Sequence, residues 1–100
     1  MSTSLDIQAL FAALQSEFTA EELAHVFASI TEESGLQLRV ESDHCLTSIG
    51  IWPNGCCDIE YLYTESEKGE FRHYEFANVK EALRSAVLEV RAAIERSRNR

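Results

Sequence analysis

The sequence has few of the residues that build phosphate-binding loops, and no long apolar runs. Its 100 residues include 4 glycines and 1 proline, and each apolar run is only a few residues long. It contains no P-loop, G-x-G-x-x-G or G-x-S-x-G motif. The runs are too short to cross a bilayer, and the N-terminus lacks the basic, apolar and small-residue order of a signal peptide. The sequence predicts a cytoplasmic protein that binds neither membrane nor cofactor.

Cysteine is also scarce, with 3 residues. Cys56 and Cys57 are adjacent, so they point to opposite faces of a strand and rarely form a bridge. His44 and Cys45, taken with them, lack the paired two-residue spacing of a zinc site. Cys56 lies beside an acidic strand, whereas nucleophilic cysteines lie near basic groups or helix N-termini, so the sequence argues against its use as a nucleophile. Reduced, unreactive thiols are predicted.

Basic residues are nearly absent from the first part of the chain. The formal net charge is −8, yet residues 1–70 contain 13 acids and 2 bases, whereas residues 71–100 contain 4 acids and 7 bases. An acidic field repels nucleic acid and attracts basic proteins. Acidic surfaces also serve solubility alone, so the charge does not identify a partner. The arginines at the C-terminus suit the negative end of a helix dipole better than they suit nucleic acid.

The length and the hydrophobic content of 45% suit one α+β domain over residues 1–100, with residues 1–3 and 97–100 frayed. Ser4 is placed to cap a first helix, whose apolar stripe is Ile7, Leu10, Phe11, Leu14 and Phe18. Thr19 and Glu22 form a capping box for a second helix. That helix is predicted to run to about Ser34 and to end at Gly35, with the stripe Leu23, Val26, Phe27 and Ile30.

Alternating apolar residues then predict a four-stranded antiparallel meander. Leu36, Leu38 and Val40 give the first strand, and FRHYEF gives the fourth, with Tyr74 and Phe76 inward. Between them, two strands over 46–63 form a hairpin about the Pro53-Asn54-Gly55 turn. One hairpin face is apolar with Thr47, Ile49, Ile51, Cys57, Ile59, Tyr61 and Tyr63. The opposite face carries Leu46, Ser48, Gly50, Trp52, Cys56, Asp58, Glu60 and Leu62.

The chain closes with its strongest helical pattern. Asn78 and Glu81 provide a second capping signature, and a helix of about 19 residues follows that packs on the sheet. Its stripe is Val79, Leu83, Ala86, Val87, Val90 and Ile94. Leu88 and Ala92 lie on the opposite side of this helix, where they are exposed or contact the N-terminal helices or a second subunit.

Carboxylates on the polar strand faces raise the question of a metal site. Asp58, Glu60, His73 and Glu75 could gather around a hard cation. Acidic residues that alternate along an exposed strand more commonly face solvent, and a nuclease of the two-carboxylate type would need a lysine where Leu62 stands. The sequence predicts no metal site and no enzyme.

The segment IWPNGCCDIEYLYTESEKGEFRHYEF and the helix after it resemble the TriTu family of bacterial polymorphic-toxin immunity proteins. The resemblance covers about Leu36 to Ile94. It rests on the Trp52-to-Gly55 turn, Asp58-Ile59-Glu60, Gly69-Glu70 and Tyr74-Glu75-Phe76. It implies a cytoplasmic protein that binds a secreted or contact-delivered toxin and covers its basic active site, with no catalysis and no nucleic acid. The protein would be a monomer or a weak homodimer.

For that function the predicted partner-binding residues are Trp52, Asp58, Glu60, Glu65, Glu67, Glu70, His73 and Glu75. Aromatic residues would serve as anchors, and the acids would steer and pair with basic groups. The alternative is an acidic, dimeric secretion chaperone that holds an effector segment, with Leu88 and Ala92 at the dimer seam. A small enzyme has the least support, because no nucleophile, base and stabilising group converge.

Overall fold

The computed structural model describes residues 4–31 and 35–98, which form three helices and one five-stranded antiparallel sheet. The elements are α1 (Ile7–Glu17), α2 (Ala20–Leu23), β1 (Val26–Thr31), β2 (Gly35–Glu41), β3 (Cys45–Ile51), β4 (Cys56–Tyr63), β5 (Gly69–Glu75) and α3 (Val79–Arg98). Each strand pairs with the next one in sequence. The α+β class, the antiparallel meander and the long C-terminal helix are confirmed, but the predicted number of strands is wrong.

The fifth strand replaces most of the predicted second helix. Helix α2 ends after 4 residues, and Val26–Thr31 forms β1. Val26 pairs with Val40 and Ile30 with Leu36, so both side chains face the core side of the sheet. Phe27 points to the other side and is 65% exposed. Valine, phenylalanine, isoleucine and threonine favour strands, and pairing satisfies the backbone groups along the edge of β2, which explains the difference.

The predicted ends of that helix are also corrected. The predicted terminus at Ser34 lies outside the described residues. Gly35 has the positive φ of 67° that a helix C-cap uses, but it begins β2. The capping box at the start of α2 is confirmed, because Glu22 N–H donates to Thr19 Oγ1 at 3.1 Å and Thr19 N–H donates to Glu22 Oε1 at 3.0 Å.

Helix α1 begins two residues later than the sequence predicted. Asp6 is its N-cap and accepts from Ala9 N–H at 3.0 Å, while Ser4 is exposed. A carboxylate at this position stabilises the positive end of the helix dipole more than a hydroxyl does, which accounts for the shift. The predicted apolar stripe is buried at Ile7, Leu10, Leu14 and Phe18.

The core lies between one face of the sheet and the helices α1 and α3. Helix α3 packs on α1, β2 and β3, and α1 contacts β2. The hairpin face predicted to be apolar supplies the fully buried side chains of Thr47, Ile49, Ile51, Cys57 and Ile59. Tyr74 and Phe76 are partly buried against the same core. Both long helices therefore cover a single face of the sheet, and no helix within the described ranges lies on the other face.

Helix α3 begins where its capping signature predicted. Glu81 N–H donates to Asn78 Oδ1 at 2.9 Å, and the Glu81 carboxylate accepts from Ala77 N–H at 2.9 Å. Ser97 and Arg98, which were predicted to fray, belong to this helix, whereas residues 1–3, 99 and 100 lie outside the described part. No helix within residues 4–31 and 35–98 is both long and apolar enough to cross a membrane.

Candidate functional site

The sheet face that α1 and α3 leave uncovered is called the outer face. Strand register arranges its side chains in two rows across the five strands. The first row is Phe27, Arg39, Ser48, Glu60 and Phe71. The second row is Ser29, Gln37, Gly50, Asp58 and His73. Trp52, Cys56 and Glu75 continue this face beyond the second row. Residues from all five strands thus share one surface.

Trp52 lies across the centre of the outer face, above Gly50. A Cβ atom at Gly50 would lie 2.8 Å from Trp52 Cη2 and 3.0 Å from Gln37 Nε2, so only glycine admits the indole ring at this distance. The Trp52 backbone is held by its own N–H, which donates to the Cys56 carbonyl at 2.9 Å. The indole is partly exposed and rests on backbone. It is a fixed aromatic surface that needs little ordering before it contacts a partner.

His73 lies between two carboxylates beside Trp52. Its Nδ1 is 2.7 Å from Asp58 Oδ1, and its Nε2 is 3.6 Å from Glu75 Oε2. The hydrogen bond to Asp58 is the largest cause that raises the pKa of His73, and burial opposes it. Protonation of His73 therefore offsets part of the negative charge of the outer face near neutral pH.

The His73 contact is expected to make stability depend on pH. Because the pKa of His73 is raised above its ordinary 6.5, the stabilisation is complete at pH values below 6.5 and is lost as the pH rises through the folded-state pKa. Urea unfolding of wild type and His73→Gln between about pH 5 and 8 measures it. The difference in unfolding free energy should be largest at the acidic end. A difference that stays constant with pH would show that the pair does not contribute.

The other predicted partner-binding residues divide between three locations. Glu60 is exposed on the outer face and lies opposite Phe71. Glu65 and Glu67 lie in the exposed connection between β4 and β5, where Glu67 has a positive φ of 56°. Glu70 lies on the opposite side of the sheet, where its carboxylate accepts from Tyr61 Oη and from Arg72 at 3.3 Å. Glu70 is therefore separated from the outer-face acids.

The predicted site residues omit several members of the outer face, including some that lie on the first two strands. Phe27, Gln37 and Arg39 belong to β1 and β2, which extend the face beyond the predicted hairpin. Arg39 Nη1 is 3.3 Å from Glu41 Oε1, so the face also contains one ion pair of its own. The alternation in VFASIT was the available signal for Phe27, but its spacing also fitted a helix.

The polar groups of the described residues include no cluster suited to a metal ion, and the Cys57 thiol is held in its protonated form. Within the described ranges, no group of three or more histidine, cysteine, aspartate or glutamate side chains could hold a metal ion. All three cysteines are free, and Cys45 and Cys57 are buried. Burial raises the pKa of Cys57 to about 12, with Asp58 and Glu89 adding to the effect, so the thiol stays protonated at neutral pH. The outer face can bind, pair charges and exclude water.

The family model described as Immunity protein TriTu matches residues 7–92. Neither a curated protein nor a solved structure matches the chain. The matched range extends past the region of about Leu36 to Ile94 on which the resemblance rested, and it includes α1, α2 and β1. The match covers most of the 100 residues. The chain therefore belongs to the TriTu family of immunity proteins.

Proposed function

We propose that this immunity protein neutralises a cognate toxin by binding it through the outer face and covering the toxin's basic active-site cleft. The observation that carries this proposal is the uncovered sheet face, on which the partly exposed Trp52 lies over Gly50 and the acidic Asp58 stands opposite Gly50 on β4. No catalytic step is required, because occupation of the cleft denies it to the toxin's substrate. The predicted cytoplasmic location places the protein where such a toxin would act.

Charge supports a basic partner. Among the described residues of the outer face, three acids, Asp58, Glu60 and Glu75, stand against a single arginine, Arg39, which is paired with Glu41. In the part of the chain that the structure describes, Glu60 has no cation within 4.0 Å, so its charge is available to a partner. Complementary charge of this kind mainly accelerates association and selects among partners.

Rigidity supports the same surface. The outer-face residues sit on paired strands, and their backbone positions are fixed by the sheet. Ordering side chains and loops at an interface costs roughly 0.5–1.5 kcal/mol for each immobilised flexible side chain, and a preformed sheet avoids part of that cost. By contrast, Glu65 and Glu67 lie on a connection, so a contact through them would have to order more of the chain.

Trp52→Ala is expected to accelerate dissociation of the toxin. A buried aromatic anchor contributes about 2 kcal/mol or more to binding, which corresponds to an approximately 30-fold faster dissociation rate. Surface plasmon resonance with an inactivated toxin from the adjacent reading frame measures the rate, and co-expression with active toxin measures protection of cells. Leu88→Ala is the matched control, because it removes a side chain that is 65% exposed on α3.

A thermal melt of both variants separates binding from folding, since the Trp52 ring also covers Gly50. Equal dissociation rates for Trp52→Ala, Leu88→Ala and wild type would exclude Trp52 as an anchor. Tight toxin binding to a variant that leaves cells unprotected would contradict blockade of the active site. The secretion-chaperone alternative has no support from the family match, which is to an immunity protein.

A further inference from the structure

The two edges of the sheet differ in how they are protected. Edge strands expose unpaired N–H and C=O groups, and charged side chains usually prevent another strand from adding there. Strand β5, GEFRHYE, carries Glu70, Arg72, His73 and Glu75. Strand β1, VFASIT, has neither a charged residue nor a proline. Charged side chains therefore protect the β5 edge, whereas within residues 4–31 and 35–98 no strand pairs with the outer edge of β1 and no charge protects it.

The helices also leave the core side of β1 incompletely covered. Helix α1 packs on α3 and β2, and among the helices of the described residues it is the short α2 that packs most on β1. An apolar groove remains there, lined mainly by Phe11, Leu14, Phe18, Leu23, Val26 and Ala28. Val26 and Ile30 are only partly buried, and Ala28 is exposed. An added strand at this edge would complete both the sheet and the layer beneath it.

We propose that a second copy of this chain occupies the β1 edge, so that two sheets join into one of ten strands in a homodimer. In antiparallel pairing, side chains directly opposite each other point to the same face. A two-fold axis through Ala28 places Ala28 opposite its own counterpart and Val26 opposite Ile30 of the second copy. Phe27 then lies opposite Ser29 of the second copy, on the outer face.

This register is self-complementary, as a two-fold interface requires. The smallest side chain of the pairing, Ala28, lies on the axis where the two backbones approach. Ile30 of the second copy projects to the core side next to Val26, at the apolar groove. In the dimer, β1 of one copy covers the exposed apolar surface at β1 of the other copy. The same strand pairs with the backbone groups along that edge.

The lack of charge on β1 suits a second copy better than a basic toxin strand. Two chains that each carry a net charge of −8 repel one another overall, and the six residues Val26–Thr31 add no charged side chain to that repulsion at the seam. A basic toxin would gain no electrostatic attraction from β1, whereas the acids of the outer face would attract it. The dimer would also place two outer faces side by side on one continuous sheet.

Ala28→Lys tests the seam in the full chain. Because Ala28 is exposed, lysine is compatible with the folded monomer, but in the dimer two lysines would meet across the axis. Sedimentation velocity over a concentration series should show a dimer for wild type, and Ala28→Lys should weaken it at least about tenfold. Leu88→Lys adds the same charge at an exposed position of α3 and should leave the dimer unchanged. A melt at low concentration checks that each variant is folded.

Hydrogen exchange provides the second measurement. Amides of Val26–Thr31 should exchange more slowly as wild-type concentration rises, whereas those of Gly69–Glu75 should not change. Three results would overturn the proposal. These are a monomer at every concentration, a dimer that Leu88→Lys weakens as much as Ala28→Lys, and protection of β1 that appears only when toxin is added. The last result would assign the edge to a toxin strand.

Discussion

Gly55→Val is expected to destabilise the fold by about 3 kcal/mol or more, a large part of the ~5–15 kcal/mol typical of a domain. Gly55 has a φ of 93°, which valine adopts only with strain of about 1–3 kcal/mol. A Cβ atom at this position would also collide with the carbonyl oxygen of Phe76. The Gly55 carbonyl also accepts a hydrogen bond from Phe76 N–H at 2.8 Å. The backbones at Gly55 and Phe76 therefore cannot move apart to relieve the collision without losing that bond. Equilibrium urea unfolding measures the change.

Asn54→Ala is the matched control in the same turn. Asn54 is exposed, and its side chain accepts from Cys56 N–H at 3.0 Å, so its loss removes one hydrogen bond of about 0.5–1.5 kcal/mol. Similar midpoints for Gly55→Val and Asn54→Ala would show that the turn tolerates a side chain at Gly55. In that case the contact between the turn and the link from β5 to α3 does not restrict the residue at position 55.

Asp58→Lys combined with Glu60→Lys is expected to weaken toxin binding about a hundredfold or more. Like charges that meet across an interface cost several kcal/mol, and removal of the steering acids slows association. The association rate of wild type should fall as salt rises, because salt screens the attraction between its acids and the basic toxin. The association rate of this variant should not fall with salt, because that attraction has been removed. Stopped-flow association at several ionic strengths measures both effects. A melt is needed as well, since Asp58 is paired with His73.

Glu65→Lys combined with Glu67→Lys changes the net charge by the same amount at the connection between β4 and β5. If the outer face is the contact, this control should reduce the association rate far less than the sheet variant does. Equal losses for the two variants would mean that overall charge, and not position, governs binding. A larger loss for the loop variant would place the toxin on the connection.

The hairpin and α3 could be predicted because several sequence signals agree there. Strict alternation from Thr47 to Ile51, a turn with Gly55 and a capping signature at Asn78 each allow one interpretation. The same agreement predicted that Trp52, Asp58 and Glu60 share one face of the hairpin. Local sequence determines structure most clearly where propensity, periodicity and turn chemistry favour the same element.

Strand β1 could not be predicted with the same certainty, because two periodicities overlap in it. Val26, Phe27 and Ile30 fit the apolar stripe of a helix. The same residues also fit a strand in which Val26 and Ile30 lie on one face and Phe27 lies on the other. The capping box at Thr19 is real but starts a helix of only 4 residues. Tertiary pairing with β2 decided the outcome, and it also brought Arg39 and Gln37 into the candidate site. A helical start signal carries no information on where the helix ends.

The pairing of each strand with its successor affects how fast this protein becomes functional after synthesis. Loops of five residues or fewer, at 42–44, 52–55 and 64–68, join β2 to β5. Short loops cost little closure entropy, and chains rich in local contacts fold quickly. The sheet can therefore assemble hairpin by hairpin as the ribosome releases it, and α3, which follows β5 in the chain, then covers its core side. The outer face would be formed within a short time of translation.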